Sequence, residues 1–420
     1  RKGSRKPNQS AFGGTMIDFE YTSEQNMVAK MVRELAAREF APHIKEWDEK
    51  AIFDPGTLPK LAGQGILGLS TPEKYGGAGF DYVSLGLACE ELEYVDTALR
   101  VILSVHIGLV TLPILTWGNE KQRTKYLPDL ASGKRIGAFG LTEPNAGSDV
   151  VALETKAEKD GDGWLISGEK MWISLADVAD TFLVFAWTDQ DKRKKRDHSG
   201  ISAFVIERGM PGITTASIHG KLGVRAGNTG SISMDRVKVG PEHVLGEVGE
   251  GFKIAMFCLD QGRFTVGWGA TGLVKACLDA SVSYALSRVT FGVPIGHHQL
   301  IKEMIGNMKV NYEASRLLNL QAAWMKNKGL RCTKETAQAK WFACNASEKS
   351  ASDCVQIHGA YGFSNEFPAE RFYRNAKGAV IYEGAREIQA LMAADYALGF
   401  RTDKPTRKSL PPHPYPENWQ

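Results

Sequence analysis

Asp160-Gly161-Asp162-Gly163, followed by Trp164-Leu165-Ile166, is the stretch whose reading decides the fold. Two glycines alternating with two aspartates mark a tight reversal between extended runs. Residues 164–166, 181–187, 203–206 and 231–239 are short and rich in β-branched and aromatic side chains, the composition of a compact antiparallel sheet. Outward from this segment the period changes. Upstream, Thr22-Ser23-Glu24-Gln25 has the form of a capping box, with Met27, Val28, Met31, Val32 and Leu35 at helical spacing and Pro42 ending the run. Helical patterns continue through 82–94 and 122–130. Downstream of Gly251 they return in long segments, 266–287, 300–327 and 333–359. The order helices, sheet, helices predicts an α+β fold: an N-terminal α-helical domain (16–136), a middle antiparallel β domain (137–248) and a C-terminal four-helix bundle (249–401). It is not the strand–helix alternation of a Rossmann fold.

The chain has 420 residues, 43% of them hydrophobic, enough for a large core. A net charge of +3 is small for this length and gives no sign of a nucleic-acid partner. Cys89, Cys258, Cys277, Cys332, Cys344 and Cys354 are scattered, with no CxxC pair. That spacing indicates neither a metal site nor a disulfide framework and favours a reducing compartment, cytoplasmic in a bacterium or the mitochondrial matrix in a eukaryote. No apolar run is expected to reach membrane-spanning length, and no signal peptide is evident. Residues 1–15 read as a disordered leader or tag. The Pro-rich tail, 402–420, is expected to be loosely ordered.

Two motifs have competing readings. Gly267-Trp268-Gly269-Ala270-Thr271-Gly272 matches the dinucleotide pattern GxGxxG. The fingerprint needs a strand before it; here it lies inside a helical run, which favours close helix packing. Lys192-Arg193-Lys194-Lys195-Arg196 could be a phosphate or nucleic-acid patch, and the favoured reading is a solvated hairpin loop.

Near the C-terminus, Ile381-Tyr382-Glu383-Gly384-Ala385-Arg386-Glu387-Ile388-Gln389 places one carboxylate between an aromatic residue and a glycine, just before a helical run. Desolvation beside Tyr382 and Ile381 raises a carboxyl pKa. A raised carboxylate suits proton abstraction next to a carbonyl, and Gly384 permits close backbone approach to a ligand. The alternative is an ordinary acidic residue at a helix start.

Three further segments weigh against that alternative: Phe139-Gly140-Leu141-Thr142-Glu143-Pro144-Asn145-Ala146-Gly147-Ser148-Asp149, Gly168-Glu169-Lys170-Met171-Trp172-Ile173-Ser174, and Arg288-Val289-Thr290-Phe291-Gly292 with His298-Gln299 after it. In this order and with these separations, the four segments resemble the acyl-CoA dehydrogenase family of FAD enzymes, from about residue 18 to 400. The reaction this implies is α,β-dehydrogenation of a CoA thioester, with Glu383 at the family's base position taking the α-proton and the β-hydride passing to flavin N5. Relatives that place the base elsewhere use the position held here by Gly262, which cannot act as one. In the family the enolate oxygen is held by the base residue's own N–H and a flavin ribityl hydroxyl.

The resemblance carries flavin contacts onto Phe139, Leu141, Thr142, Ser148, Trp172 and Ser174. Arg288, Phe291, Gln299, Gln356 and Gly359 match residues that reach FAD bound in a neighbouring subunit, which implies a homo-oligomer, usually a tetramer. Alone, Trp172 would read as a core aromatic and Arg288 as a surface ion pair; His358 reads as structural. The CoA side matches at Ser148, Phe252, Asp260 and Arg263, with Gly384 beside the base. The expected electron acceptor is electron-transferring flavoprotein. Departures from the family pattern are Gly227 for serine, Ala385 for threonine, Leu175 for a polar residue and Ala360 for glycine. An acyl-CoA oxidase would share the fold; an inactive scaffold protein would be expected to lack the base.

Glu91-Leu92-Glu93-Tyr94-Val95-Asp96-Thr97-Ala98-Leu99-Arg100 is expected to line the acyl pocket. An unpaired arginine there would be costly against a fatty tail, whereas a distal substrate carboxylate would receive it. Glu93 and Arg100 match positions that glutaryl-CoA dehydrogenases use around that carboxylate; Val101 and His106 depart from that branch, which has serine and glutamine. The alternatives are a substituted succinyl-CoA such as benzylsuccinyl-CoA and, for Arg100, an ion pair with Glu93 or Asp96.

Overall fold

Thr22 caps the first helix as its sequence dictates. Its Oγ1 accepts the Gln25 N–H at 3.2 Å, and Gln25 Oε1 accepts the Thr22 N–H at 3.0 Å. In this computed structural model, which describes residues 19–417, seven helices form the first block: α1 (Ser23–Glu39), α2 (Ile44–Lys50), α3 (Thr57–Gly63), α4 (Tyr82–Val95), α5 (Thr97–Leu103), α6 (Leu112–Trp117) and α7 (Glu120–Ala131). The expected leader, 1–15, lies outside the described residues.

A π-helical stretch, Ser104–Thr111, joins α5 to α6, so Thr97–Trp117 runs as one apolar helical segment. Its 21 residues are long and apolar enough to cross a membrane, which corrects the expectation that no run reaches that length. Every one of them is buried inside the fold, as in a core helix that packs on all sides. His106, inside it, donates from Nε2 to Leu130 O (3.0 Å) and accepts the Gly137 N–H at Nδ1 (3.1 Å). Burial pushes its pKa down to about 4, so the ring is neutral near pH 7 and pins the helical block to the first strand.

The sheet comprises β1 (Gly137–Gly140), β2 (Lys156–Asp160), β3 (Gly163–Ser174), β4 (Thr181–Trp187), β5 (Ile201–Glu207), β6 (Ile213–Ser217), β7 (Thr229–Val239) and β8 (Val244–Leu245), ordered β6-β7-β3-β2-β4-β5-β8. The Asp160–Gly163 reversal pairs β2 with β3 as the glycines require. One correction applies to the antiparallel expectation: β1 lies parallel to β4, and β2 meets β4 in parallel at Lys156–Trp187. The chain enters the sheet from α7 alongside β4 rather than through a hairpin, so no reversal sets the direction of β1. The basic run starts inside α8 (Gln190–Lys194), a short, half-buried to exposed helix in the β4–β5 connection, and ends in the exposed Lys195 and Arg196 after it.

Beyond the sheet come α9 (Gly251–Ser287), a two-stranded hairpin of β9 (Val289–Thr290) and β10 (Val293–Pro294), then α10 (Gln299–Asn327), α11 (Thr333–His358), α12 (Ala369–Ala379) and α13 (Arg386–Ala397). Three long helices thus carry the bundle, and two short ones complete it. The GxGxxG run lies inside α9, as its helical context predicts. Added Cβ atoms would meet Asn319 Oδ1 at 2.5 Å from Gly267, Glu93 Oε2 at 2.0 Å from Gly269 and Glu90 O at 2.1 Å from Gly272. These glycines admit α4 and α10 against α9.

The tail corrects its expectation. Leu410 and Tyr415 are buried, Tyr82 Oη donates to Pro411 O (3.1 Å), His413 N–H donates to Asn327 O (2.8 Å) and Tyr415 Oη donates to Ser70 O. Prolines remove backbone donors without removing apolar surface, so a Pro-rich segment can still pack.

Candidate active site

After α12 the chain turns sharply. Ile381 and Tyr382 N–H groups donate to Gly378 O (2.9 and 3.1 Å), and Arg386 N–H donates to Val380 O (3.0 Å). Inside this turn Glu383 and Gly384 have φ of +51° and +99°. The left-handed region is open to glycine but strains glutamate by about 1–3 kcal/mol. The result turns the Glu383 side chain inward, only 13% exposed. Its Oε1 lies 3.9 Å from Arg100 Nη1, and its Oε2 is buried with no hydrogen-bond partner. Burial raises its pKa, as expected from the sequence, against the opposing charges of Arg100 and Lys340. Gly262, the alternative base position, faces this carboxylate: a Cβ there would lie 2.1 Å from Oε2.

Arg100 is fully buried. Nε donates to Glu93 Oε2 (2.6 Å), Nη1 to Ser104 Oγ (3.0 Å) and Nη2 to Tyr382 Oη (2.7 Å). Thr97 Oγ1 holds the other Glu93 oxygen at 2.9 Å. The ion-pair alternative for Arg100 is therefore realised with Glu93; Asp96 instead pairs with Arg371 and Asn375. With Lys340 also buried, Glu93 and Glu383 are matched by two cations, which lowers the cost of four charges in one core. Asp260 and Arg263 meet at 3.0 Å, Thr333 Oγ1 donates to Asp260 (2.5 Å), and Arg263 Nε, buried and unpartnered, lies beside Gly384.

A second cluster forms on the sheet. The β3–β7 register shifts between Lys170 and Ile173, and in this bulge Trp172 takes φ +62° with its indole 57% exposed while Ile173 is buried. Met171 N–H donates to Thr142 O (2.9 Å), so Leu141 and Thr142 lie beside Trp172 and Ser174. Behind them, Lys170 Nζ binds Glu143 Oε1 (2.6 Å) and Phe185 O (2.7 Å), a buried brace that sequence reading did not single out. Phe139 packs edge-on against Phe185 at 5.4 Å. A strained, outward-facing indole flanked by half-buried Thr142 and Ser174 is the surface a flat ring system needs.

Ser148 is exposed. Its neighbour Asp149 pairs with Arg196 (2.7 Å), and His198 stacks on Phe252 (4.4 Å between centroids), so both reach the α8 connection. Arg288, Phe291 and Gln299 gather at the β9–β10 hairpin, with Phe291 97% exposed. Gln356 and Gly359 are exposed at the end of α11. Among the described residues no hydrogen bond or ring contact joins these five to the Trp172 cluster within the chain. His358 packs at a tilt against Tyr284, 4.3 Å between ring centroids, and its Nδ1 bonds Cys354 O (2.8 Å).

Family models for the acyl-CoA dehydrogenase N-terminal, middle and C-terminal domains match residues 22–134, 138–237 and 249–398. The chain belongs to the acyl-CoA dehydrogenase family. It is 43% identical to an acyl-CoA dehydrogenase of Bacillus subtilis, over 90% of this chain and 99% of the relative. It is 40% identical to a glutaryl-CoA dehydrogenase of Desulfococcus multivorans, over 92% and 99%. The structure of butyryl-CoA dehydrogenase from Megasphaera elsdenii superposes with a TM-score of 0.88 at 38% identity, covering 91% of this chain and all of that one. An acyl-CoA dehydrogenase is an FAD-dependent oxidoreductase, and the Trp172 cluster fits that cofactor.

Sequence reading missed Ser104, Tyr382 Oη and Lys340 around Glu383. For Ser104 and Lys340 the signal is a polar side chain at a position whose helical neighbours are buried; Tyr382 lies in the turn between α12 and α13.

Proposed function

We propose that this acyl-CoA dehydrogenase oxidises a short dicarboxylyl-CoA, glutaryl-CoA foremost, with Glu383 as the base. The observation that carries the reading is the Arg100 guanidinium, buried and fixed 3.9 Å from Glu383. Residues at Glu93, Ser104 and Tyr382 hold it by three of its five N–H groups, leaving donors for a substrate carboxylate. Relatives of equal likeness act on glutaryl-CoA and butyryl-CoA by name, so the acyl group rests on this arginine.

The unpartnered Oε2 of Glu383 accepts the α-proton. Arg100 and Lys340 favour the ionised carboxylate, and its burial, which raises the pKa overall, favours the proton once it is taken. The Glu383 N–H has no acceptor among the described residues and is free to hold the thioester oxygen as charge develops there. Arg263, paired with Asp260, lies beside Gly384; Asp260, Arg263 and Gly384 bind the thioester arm, with Ser148 and Phe252 toward the nucleotide end. Phe139, Leu141, Thr142, Ser148, Trp172 and Ser174 hold FAD, which supplies the hydride acceptor; Arg288, Phe291, Gln299, Gln356 and Gly359 serve the FAD of a second copy. The exposed Phe291 and Leu300 fit an interface between copies, and the proposed assembly is a homotetramer. Electron-transferring flavoprotein is the proposed acceptor.

The test is a mass spectrum of acyl-CoA products after anaerobic incubation with glutaryl-CoA and an artificial electron acceptor. Crotonyl-CoA shows oxidation with loss of CO2, and glutaconyl-CoA oxidation alone. Unchanged glutaryl-CoA beside oxidised butyryl-CoA overturns the dicarboxylyl reading; if neither reacts, benzylsuccinyl-CoA is the next substrate.

A further inference from the structure

Lys340 sits in the middle of α11, fully buried, and makes no hydrogen bond to a carboxylate. Its Nζ donates instead to two backbone carbonyls, Tyr382 O (3.0 Å) and Gly384 O (2.7 Å). These are the carbonyls immediately before and after Glu383. Gln389 Nε2 adds a second donor to Gly384 O at 2.7 Å.

Two features make this bridge more than packing. The backbone it spans is the left-handed pair Glu383–Gly384, a conformation that persists only when its surroundings hold it. A charge-assisted bond at each end of the strained residue supplies that hold. The second feature is charge. Burial pushes the Lys340 pKa down, while Cys344 and Glu383 oppose that shift; in turn Lys340, after Arg100, opposes the rise at Glu383. Arg100 approaches the carboxylate from α5, and Lys340 approaches the turn from α11.

We propose that Lys340 is a positioning residue for the catalytic base. Its ammonium clamps both carbonyls around Glu383, fixing the turn that aims the carboxylate into the acyl site, and its charge favours the ionised form of that carboxylate. The proposal rests on Glu383 being the base.

The experiment uses the FAD-loaded enzyme and its Lys340→Met, Lys340→Gln and Glu383→Gln variants. Flavin reduction by the saturated acyl-CoA substrate is followed anaerobically across pH, with FAD content and thermal melting measured alongside. Lys340→Met is expected to retain FAD, to be reduced about 10²-fold more slowly through kcat rather than KM, and to shift the acid limb of its pH profile upward, because a lost positive charge raises the base's pKa. Lys340→Gln keeps an amide NH2 donor without the charge; it is expected to regain rate at high pH and to keep the shifted limb. If Lys340→Met does not fold, Lys340→Gln decides alone. An unchanged rate and unchanged pH limb in the folded variants overturn the clamp. A fully active Glu383→Gln overturns the base assignment instead, so the two failures are distinguishable.

Discussion

A Cβ on Gly262 would lie 2.1 Å from Oε2 of Glu383 and 3.1 Å from Leu109 Cδ2. The glycine on α9 is the room into which the base is folded. Gly262→Ala must displace either the carboxylate or the strained turn that carries it. We expect FAD to stay bound and substrate-driven flavin reduction to slow by about 10²-fold, the order that a misplacement of about 1 Å produces. A variant reduced at the normal rate would show that the carboxylate works from another position.

Glu383→Gln keeps the shape of the turn and removes the acceptor. The variant is expected to hold FAD and lose about 10²–10⁴-fold in flavin reduction rate. In the parent enzyme, burial raises the Glu383 pKa. Lowering pH therefore protonates the base earlier than an ordinary carboxylate, and kcat/KM should fall on the acid side above the usual carboxylate range. An acid limb absent from that region, with substrate ionisation excluded, would remove Glu383 as the titrating group.

Arg100 and Glu93 can be separated by a cycle. Arg100→Met leaves Glu93 buried without its cation, a loss of about 3–5 kcal/mol in stability. Glu93→Gln with Arg100→Met removes both charges and should recover most of that in thermal melting. The double variant should still lose turnover of glutaryl-CoA far more than of butyryl-CoA. Equal losses on both substrates would mean that Arg100 serves the protein's own charge balance alone.

The helices that sequence reading found are those whose apolar faces repeat over many turns, and Glu383 was legible because an acid between Tyr382 and Gly384 is locally unusual. Strands β1, β6 and β8 were not found: Gly137–Gly140 and Val244–Leu245 are very short, and Ile213–Ser217 is an edge segment with little apolar alternation. The short helix Ala369–Ala379 was also missed, since three of its four buried apolar residues at helical spacing are alanines, which give a weak apolar signal. The tail at Leu410 and Tyr415 was misread because its proline content hid two anchors that find partners only in the folded protein. Lys340 escaped for a related reason. Its two acceptors lie 42 and 44 residues away, and a backbone carbonyl has no signature in sequence.

Glu90 offers a test of the junction between α4 and α10. It is buried, its Oε1 accepts from Tyr312 Oη at 2.9 Å and its Oε2 has no partner. Burial pushes its pKa up to about 7; Glu91 on its own helix adds to the rise, while Tyr312 and Arg316 from α10 and Lys275 from α9 oppose it. Arg33 from α1 is engaged by Glu91. The sign follows from proton binding: the folded state holds this proton where the unfolded chain has released it, so the contribution is present below about pH 4.5 and is lost as pH rises through about 7. The span is on the order of 3 kcal/mol. Glu90→Gln removes the titration and leaves the Tyr312 acceptor. Its melting temperature should exceed the parent's at pH 8 by more than at pH 5. An identical difference at both pH values would show that Glu90 does not change protonation between them.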